Sequence, residues 1–311
     1  MISAVMPVRN AVPHVRRALD SLLAQTDPLD EILLVDDHST DATRATVHAW
    51  ASDRVRILPN VGAGIAEAMN TGVTAARGTW LLWQDADDWS HPDRVRRLRA
   101  HVAQHAEVDV VASAAVFVGA DSQPIDTPWT RYWRRAHDSV QSSRAIRRVL
   151  PLMCCLLPPT MLCRRETWLA VGGCDPAFTT PAYDLLLRLL TQGCVFAQLG
   201  ERLYTYRLHA DQTTARDPNG HLADLIHAKT RYLRRVAPNA RTVRLAGASV
   251  EVPRYEAACR RVGWTVLTPS IDPAVPHIPD ADVVIVVDLR WLPRWESVLT
   301  AHHQEGNAFL R

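Results

Sequence analysis

Lysine is nearly missing from this 311-residue chain: Lys229 is the only one, so the 35 basic residues are almost all arginine. Codon usage explains such a skew as well as phosphate recognition does. Set against 33 acidic residues, the formal charge is only +2, too even to imply a nucleic-acid partner. No CxxC pair occurs. The six cysteines sit mostly inside apolar runs, where a thiol behaves as a small hydrophobe, and a reducing, cytoplasmic setting is expected. No uninterrupted apolar run is long enough to span a bilayer. The nearest, LPLMCCLLPPTML from Leu150 to Leu162, is broken by three prolines. It reads as buried chain, and peripheral contact with the inner face of a membrane is the most it allows. The opening ISAVMPV follows Met1 without a basic segment or cleavage site, so no signal peptide is expected. GxGxxG loops, internal repeats and low-complexity tracts are absent.

What is present is ordinary for a globular protein: 47% apolar and 22% charged residues, enough chain for one large domain with an appendage. The first hundred residues alternate between two periods. SAVMPV, EILLV, VRIL and TWLLW read as strands. PHVRRALDSLLAQ, with Val15, Leu19, Leu22 and Leu23 at helical spacing, reads as a helix. DATRATVHAW reads as another, capped by Ser39 or Thr40, a third runs from Ile65 to Ala76, and a fourth from Asp93 to about His105. DVVASAAVFV is a further strand. Such alternation predicts βαβ units and a mostly parallel α/β sheet sandwiched by helices. Asp121 to Arg148 reads as a long loop or short helices. PTMLCRRETWLAVGG is a strand entering a helix that stops at Gly172 and Gly173, AYDLLLRLLTQG is a helix, and CVFAQL and RLYTYRLH are two strands. HLADLIHAKTRYLRRV then leads into a second alternating region, with strands in TVRLAGASV, WTVLTPS and ADVVIVVDL. The expected division is 1–218, with halves at about 1–118 and 119–218, and a small α/β appendage over 219–311.

The chemistry gathers at strand ends. LLWQDADDWSHPDRV closes an apolar strand with Asp85, Asp87 and Asp88, and no cationic side chain follows until Arg94. Crowded carboxylates repel and lose hydration when enclosed, so a positive partner is implied. A hard divalent cation, Mn2+ or Mg2+, takes oxygen ligands and is commonly completed by substrate phosphates. A turn or helix cap is the bland alternative. In parallel sheets ligands bind beyond the carboxyl ends of the strands. Arg9 and Asn10 follow the first strand, Asp36 and Asp37 the second, and the aspartate cluster the fourth, which makes one edge polar. Carboxylates at the second strand end suit a base or ribose hydroxyls.

VMPVRN, LVDDHSTDAT, NVGAGIAEAMNTGVTAARGTWLLWQDADDWSHPDRV, GGCDPAF and YDLLLRLLTQG resemble, in order and spacing, the motifs of the family 2 glycosyltransferases of GT-A fold, over roughly residues 2–212. The resemblance implies a GT-A-like sheet and transfer of a hexosyl-type sugar from a nucleoside diphosphate donor, commonly a UDP-sugar. Inversion at the anomeric carbon and a divalent metal on the diphosphate are implied with it. By the same resemblance Pro7, Arg9, Asn10, Asp36 and Asp37 line the base and ribose. Asn60, Gly62 and Asn70 lie beside the donor, Asp85 with Ala86 falls near the ribose, and Asp87, with Asp88 as an alternate, is the metal ligand. YTYRLH matches an ending in which His209 completes the metal shell and Arg207 offsets charge on the leaving diphosphate. The family's Glu-Asp pair reads Tyr183-Asp184 here, giving Asp184 as the expected base, although an ion pair with Arg188 on the same helix is its bland alternative. The missing glutamate bears on acceptor recognition.

Trp129, Tyr132 and Trp133, interleaved with arginines, point to a sugar, aromatic or anionic acceptor, or to simple packing. Glycans, lipid-linked glycans, natural products and peptides all remain open as acceptors. Without a QxxRW signature or synthase helices, single-sugar addition is expected. A sugar nucleotidyltransferase is disfavoured because no Gly-rich basic loop follows the first strand, and a nucleotide-sugar-binding scaffold is the non-enzymatic alternative. The appendage is expected to serve dimerisation or acceptor docking. The His302-His303 pair has no partner at ligand spacing.

Overall fold

The computed structural model describes residues 1–246, 249–271 and 281–286. Contacts divide the chain into two compact units, Met1–Pro218 and Asn219–Arg311, and each is described by itself. The first opens with β1 (Ile2–Val8), α1 (Val15–Leu23), β2 (Glu31–Asp36), α2 (Thr43–His48), β3 (Val55–Pro59), α3 (Gly64–Ala75) and β4 (Trp80–Trp83). It continues with β5 (Trp89–Ser90), α4 (Arg94–Gln104), β6 (Val110–Val118), α5 (Pro128–Ser139), α6 (Ser143–Val149) and β7 (Leu162–Arg164). The last elements are α7 (Arg165–Ala170), α8 (Ala182–Thr191), β8 (Phe196–Arg207) and α9 (Thr213–Arg216).

Eight strands form one sheet in the order β3-β2-β1-β4-β7-β6-β8-β5. It is mostly parallel, with β7 and β5 running antiparallel to their neighbours. The inner strands of the parallel half are buried on both faces, every residue of β2 included, as continuous apolar strands covered by helices on two sides must be, while the edge strand β3 is only half-buried beyond Val55. Val15, Ala18, Leu19 and Leu22 of α1 supply one covering face. The chain winds from β1 toward β3 and returns to add β4 on the other side of β1, so the strand order reverses between β1 and β4. A crevice opens at such a reversal. Pro7 contributes to it: β1 pairs with β4 only through Val5, and a residue without an N–H falls where that pairing has ended.

Several local expectations are corrected. α2 receives no cap from Ser39 or Thr40: the Ser39 hydroxyl accepts from Asn10 N, while Asp41 accepts from Thr43 N. In the stretch after Asp121 the alternative of helices is the one observed, as α5 and α6, and α5 carries a capping box between Thr127 and Thr130 with Pro128 in its first turn. CVFAQL and RLYTYRLH merge into the single strand β8, whose pairing with β6 shifts between Ser113 and Ala115. Bulges absorb the extra residues, Gly200 and Glu201 among them.

The second unit contains α10 (Pro218–Val236), β9 (Thr242–Ala246), α11 (Val252–Arg261), β10 (Thr265–Ile271) and β11 (Val283–Val286). Its three strands are parallel in the order β10-β9-β11, an α/β arrangement. His302 and His303 lie outside the described residues. Among the described residues no helix is long and apolar enough to cross a membrane.

Candidate functional site

The carboxyl ends of β1, β2 and β4 bring the polar clusters to the crevice. Each of Asp85, Asp87 and Asp88 presents a carboxylate oxygen, and the three lie within 4.8 Å of one another. Burial raises the Asp85 pKa to about 7, with the neighbouring Asp87 adding to it. Asp88 is pushed well above the ordinary carboxylate range, first by burial and then by Asp87 and Asp85. Asp88 does not cap α4: its Oδ1 accepts from Arg207 N at 2.8 Å, and its Oδ2 is buried without a hydrogen-bond partner. An orphaned buried oxygen beside two more carboxylates is an all-oxygen donor set that fits a hard divalent cation.

Below the cluster lies Arg94, the first cation of the motif and fully buried. It does not ion-pair with the aspartates. Its guanidinium donates to Gln84 Oε1, Ser90 Oγ, Trp83 O and Pro159 O and lies 4.7 Å from the Tyr204 ring centroid. Burial lowers its pKa to about 10. Tyr204 holds the same turn, its hydroxyl accepting from Asp85 N at 3.2 Å, and Trp83 Nε1 donates to Asp85 Oδ1 at 2.8 Å. Arg94 and Tyr204 position the aspartates, and no motif of the sequence marks either as a site residue, because the groups they meet are set by folding.

The YRLH turn closes the site. His209 Nε2 is 2.9 Å from Asp87 Oδ2, and the Arg207 guanidinium is 2.8 Å from His14 Nδ1. Gln212 Nε2 donates to Arg207 O, pinning the turn. The His14 and His209 rings are 5.0 Å apart. Burial lowers the His14 pKa, and Arg207 and His209 lower it further. Asp87, His209 and Arg207 are thus brought together as expected from the motif, with His14 added from the N-terminus of α1.

On the β2 side Asp36 and Asp37 are both buried. Asp37 is committed to its own loop: it accepts from Asn60 Nδ2 at 2.7 Å and from Gly64 N at 2.9 Å, with exposed Arg9 3.4 Å away. Asp36 Oδ1 accepts from Ser39 N at 3.3 Å. Pro7 and Ala86 are half-buried at the crevice.

Four of the expected site residues have partners of their own. Asn10 has its side-chain oxygen taken by Thr40 N, so it fastens the β1 and β2 loops to each other. Asn70 spends both ends of its amide on Cys174, accepting from its N and donating to its O at 2.8 Å each, and is a clip between α3 and the Gly172-Gly173 turn. The space a Cβ at Gly62 would fill is taken by Glu67, whose Cγ would lie 2.6 Å from it, so packing against Glu67 accounts for the glycine. Asp184 is fully buried in α8, its Oδ2 accepting from Arg188 Nε at 2.7 Å. Arg188 is in turn held by Val171 O. A base for an acceptor hydroxyl must meet that hydroxyl; Asp184 instead anchors a helix. Tyr183 beside it donates to Leu150 O at 2.9 Å and is likewise buried. Trp133 packs in a cluster with Phe117 and Tyr204, while Trp129 keeps 39% of its surface exposed and packs edge-on against Phe117.

A doubly wound sheet with polar strand ends at its switch point defines a class of α/β proteins whose ligands bind in that crevice. The sequence profile of Glycosyl transferase family 2 matches residues 3–165, over half of the chain, and the chain belongs to that family. A succinoglycan biosynthesis protein, ExoO, of Rhizobium meliloti (strain 1021) is 40% identical over 98 residues, 31% of this chain and 28% of its own. A PGL/p-HBAD biosynthesis glycosyltransferase of Mycobacterium bovis (strain BCG / Pasteur 1173P2) is 36% identical over 115 residues, 36% of this chain and 45% of its own. The matches therefore span less than half the length of these relatives. Among solved structures, residues 1–349 of S. aureus TarS with UDP-GlcNAc superpose with a TM-score of 0.60 at 15% identity, covering 84% of this chain and 71% of that one. The mannosyltransferase PcManGT of Pyrobaculum calidifontis, solved with GDP-Man and Mn2+, gives 0.57 at 15% identity, covering 97% and 75%. At such identity the likeness is one of fold.

Proposed function

We propose that the chain is a metal-dependent, inverting glycosyltransferase that takes a nucleoside diphosphate sugar, a UDP-sugar first, and passes one sugar to an acceptor hydroxyl. The observation that carries the reading is the cluster of Asp85, Asp87 and Asp88 with His209 and Arg207 beside it, at the reversal of strand order in a family 2 domain. Asp87 and Asp88, with His209, would hold Mn2+ or Mg2+, which when bound neutralises charge on the diphosphate. Arg207 offsets negative charge that develops as the nucleoside diphosphate leaves. Asp36, with Arg9 and Pro7 at the neighbouring strand end, lines the base and ribose. Asp85 orients the turn toward the ribose through its bond to Trp83.

Titrating UDP-sugars and GDP-sugars into the chain with and without Mn2+, followed by thermal shift and by release of free sugar, tests this. Metal-dependent stabilisation with slow donor hydrolysis is expected; neither response from any nucleotide sugar would overturn the reading. The burial of Asp184 favours a second one, a nucleotide-sugar-binding module that does not turn over. Tight donor binding with no hydrolysis and no transfer to any acceptor would select it.

A further inference from the structure

A positive counterpart faces the acidic cluster. Trp89, on β5, has two guanidinium groups against its ring: Arg17 of α1 at 3.3 Å from the centroid and Arg207 at 5.1 Å. Arg207 is 8% exposed and its Nε is buried without a partner. Neither arginine forms an ion pair among the described residues. Arg17 Nη1 donates to Ser122 Oγ at 3.0 Å, and among the described residues the Arg207 guanidinium hydrogen-bonds to the His14 ring. Ser122 holds a left-handed backbone, φ 63°, uncommon for serine, so Arg17 is tied to a constrained loop tip. The first turn of α1 contains no acidic residue of its own, so the positive end of the helix dipole adds to the field at the same place. Burial and the neighbouring Arg207 both lower the Arg17 pKa, as expected of two cations that share one indole.

We propose that Arg17 and Arg207, held against Trp89, form a subsite for a phosphoryl dianion, a place where two guanidinium groups without an ion pair donate N–H bonds to the oxygens of one doubly charged group. Planar guanidinium forks match phosphoryl oxygens in pairs, and stacking on the indole leaves free the N–H groups that Ser122 and His14 do not use. The buried Arg207 lies on the aspartate side and the exposed Arg17 on the solvent side. The dianion belongs either to the donor diphosphate or to a phosphate-bearing acceptor entering over α1. The assignment rests on the glycosyltransferase reading for the identity of the ligand, and on geometry alone for the anion.

Calorimetric titration of the full chain with inorganic pyrophosphate in metal-stripped buffer reads the subsite without the cation. Saturable binding is expected, weakened about fivefold or more in R17Q and less in R17K, which keeps the charge but loses the fork. Arg17 is exposed, and unchanged melting of both variants confirms their fold. No binding in the parent, or binding that R17Q leaves within about twofold, overturns the proposal. Glycerol 1-phosphate titrated into the chain saturated with UDP and Mn2+ then separates the sources. Binding that R17Q abolishes assigns the subsite to an acceptor phosphate; exclusion by UDP assigns it to the donor. Failure of UDP to bind at all would remove the glycosyltransferase reading while leaving the metal-free result intact.

Discussion

Asp88 and Asp184 are both buried aspartates, and their surroundings set them opposite tasks. Asp88 is crowded by like charge and keeps one oxygen without a partner, while Asp184 is neutralised by Arg188 on the next turn of its helix. Asp88→Asn keeps the acceptor for Arg207 N and removes a buried charge, so the metal-free variant should melt no lower than the parent. Its Mn2+-dependent stabilisation by a nucleoside diphosphate should vanish, as differential scanning fluorimetry would read. A polar site that trades stability for ligand is expected to behave this way. Asp184→Asn strands the Arg188 cation and should cost about 3–5 kcal/mol in urea unfolding, with nucleotide affinity per folded molecule unchanged. A loss of transfer without loss of stability would restore the base assignment.

At the level of elements, two features decide how the site is held. α5 packs His137 into an aromatic group with Phe117 and Trp133, 2% exposed, and burial lowers its pKa to about 4. Between the ordinary imidazole value of about 6.5 and about 4, the unfolded chain takes up a proton that the fold refuses. The sign is therefore a stability that is full above about pH 6.5 and falls as pH drops toward 4, by on the order of 3 kcal/mol. His137→Phe should flatten that slope in urea titrations at pH 7 and pH 4.5. The second feature is the turn after α7. Gly173 has φ 73°, and a Cβ there would lie 2.4 Å from Asn70 Oδ1. Gly173→Ala should cost more than about 1 kcal/mol and loosen the clip between α3 and Cys174, while Gly172→Ala, with open space at φ 82°, should bear only the backbone strain.

The first unit contains every strand of the eight-stranded sheet, from Ile2 to Arg207, together with all the aspartates, arginines and histidines of the site. A chain ended after Pro218 should therefore fold cooperatively and keep metal-dependent nucleotide binding within about threefold of the full chain, because no ladder partner is lost. Circular dichroism melting and calorimetry check this. Binding that disappears on truncation would mean that the second unit completes the site. The α/β order, the polar strand ends and the YRLH turn were legible in the sequence, since each depends on residues close together in the chain. Asn70, Arg94 and Asp184 were not: what an amide, a guanidinium or a carboxylate does depends on groups it meets only after folding.

The sequence by itself determined the alternation of strand and helix, the clustering of carboxylates at one edge and membership in the family, because periodicity and motif spacing are properties of the linear chain. Only the tertiary structure decided depth and partnership. It turned Asp184 into an anchor, spent Asn70 on Cys174, put Arg94 beneath DADD and laid Arg17 and Arg207 against Trp89. The physical reason is that burial and pairing fix whether a polar group is free to act, and both are set by contacts between residues far apart in the chain.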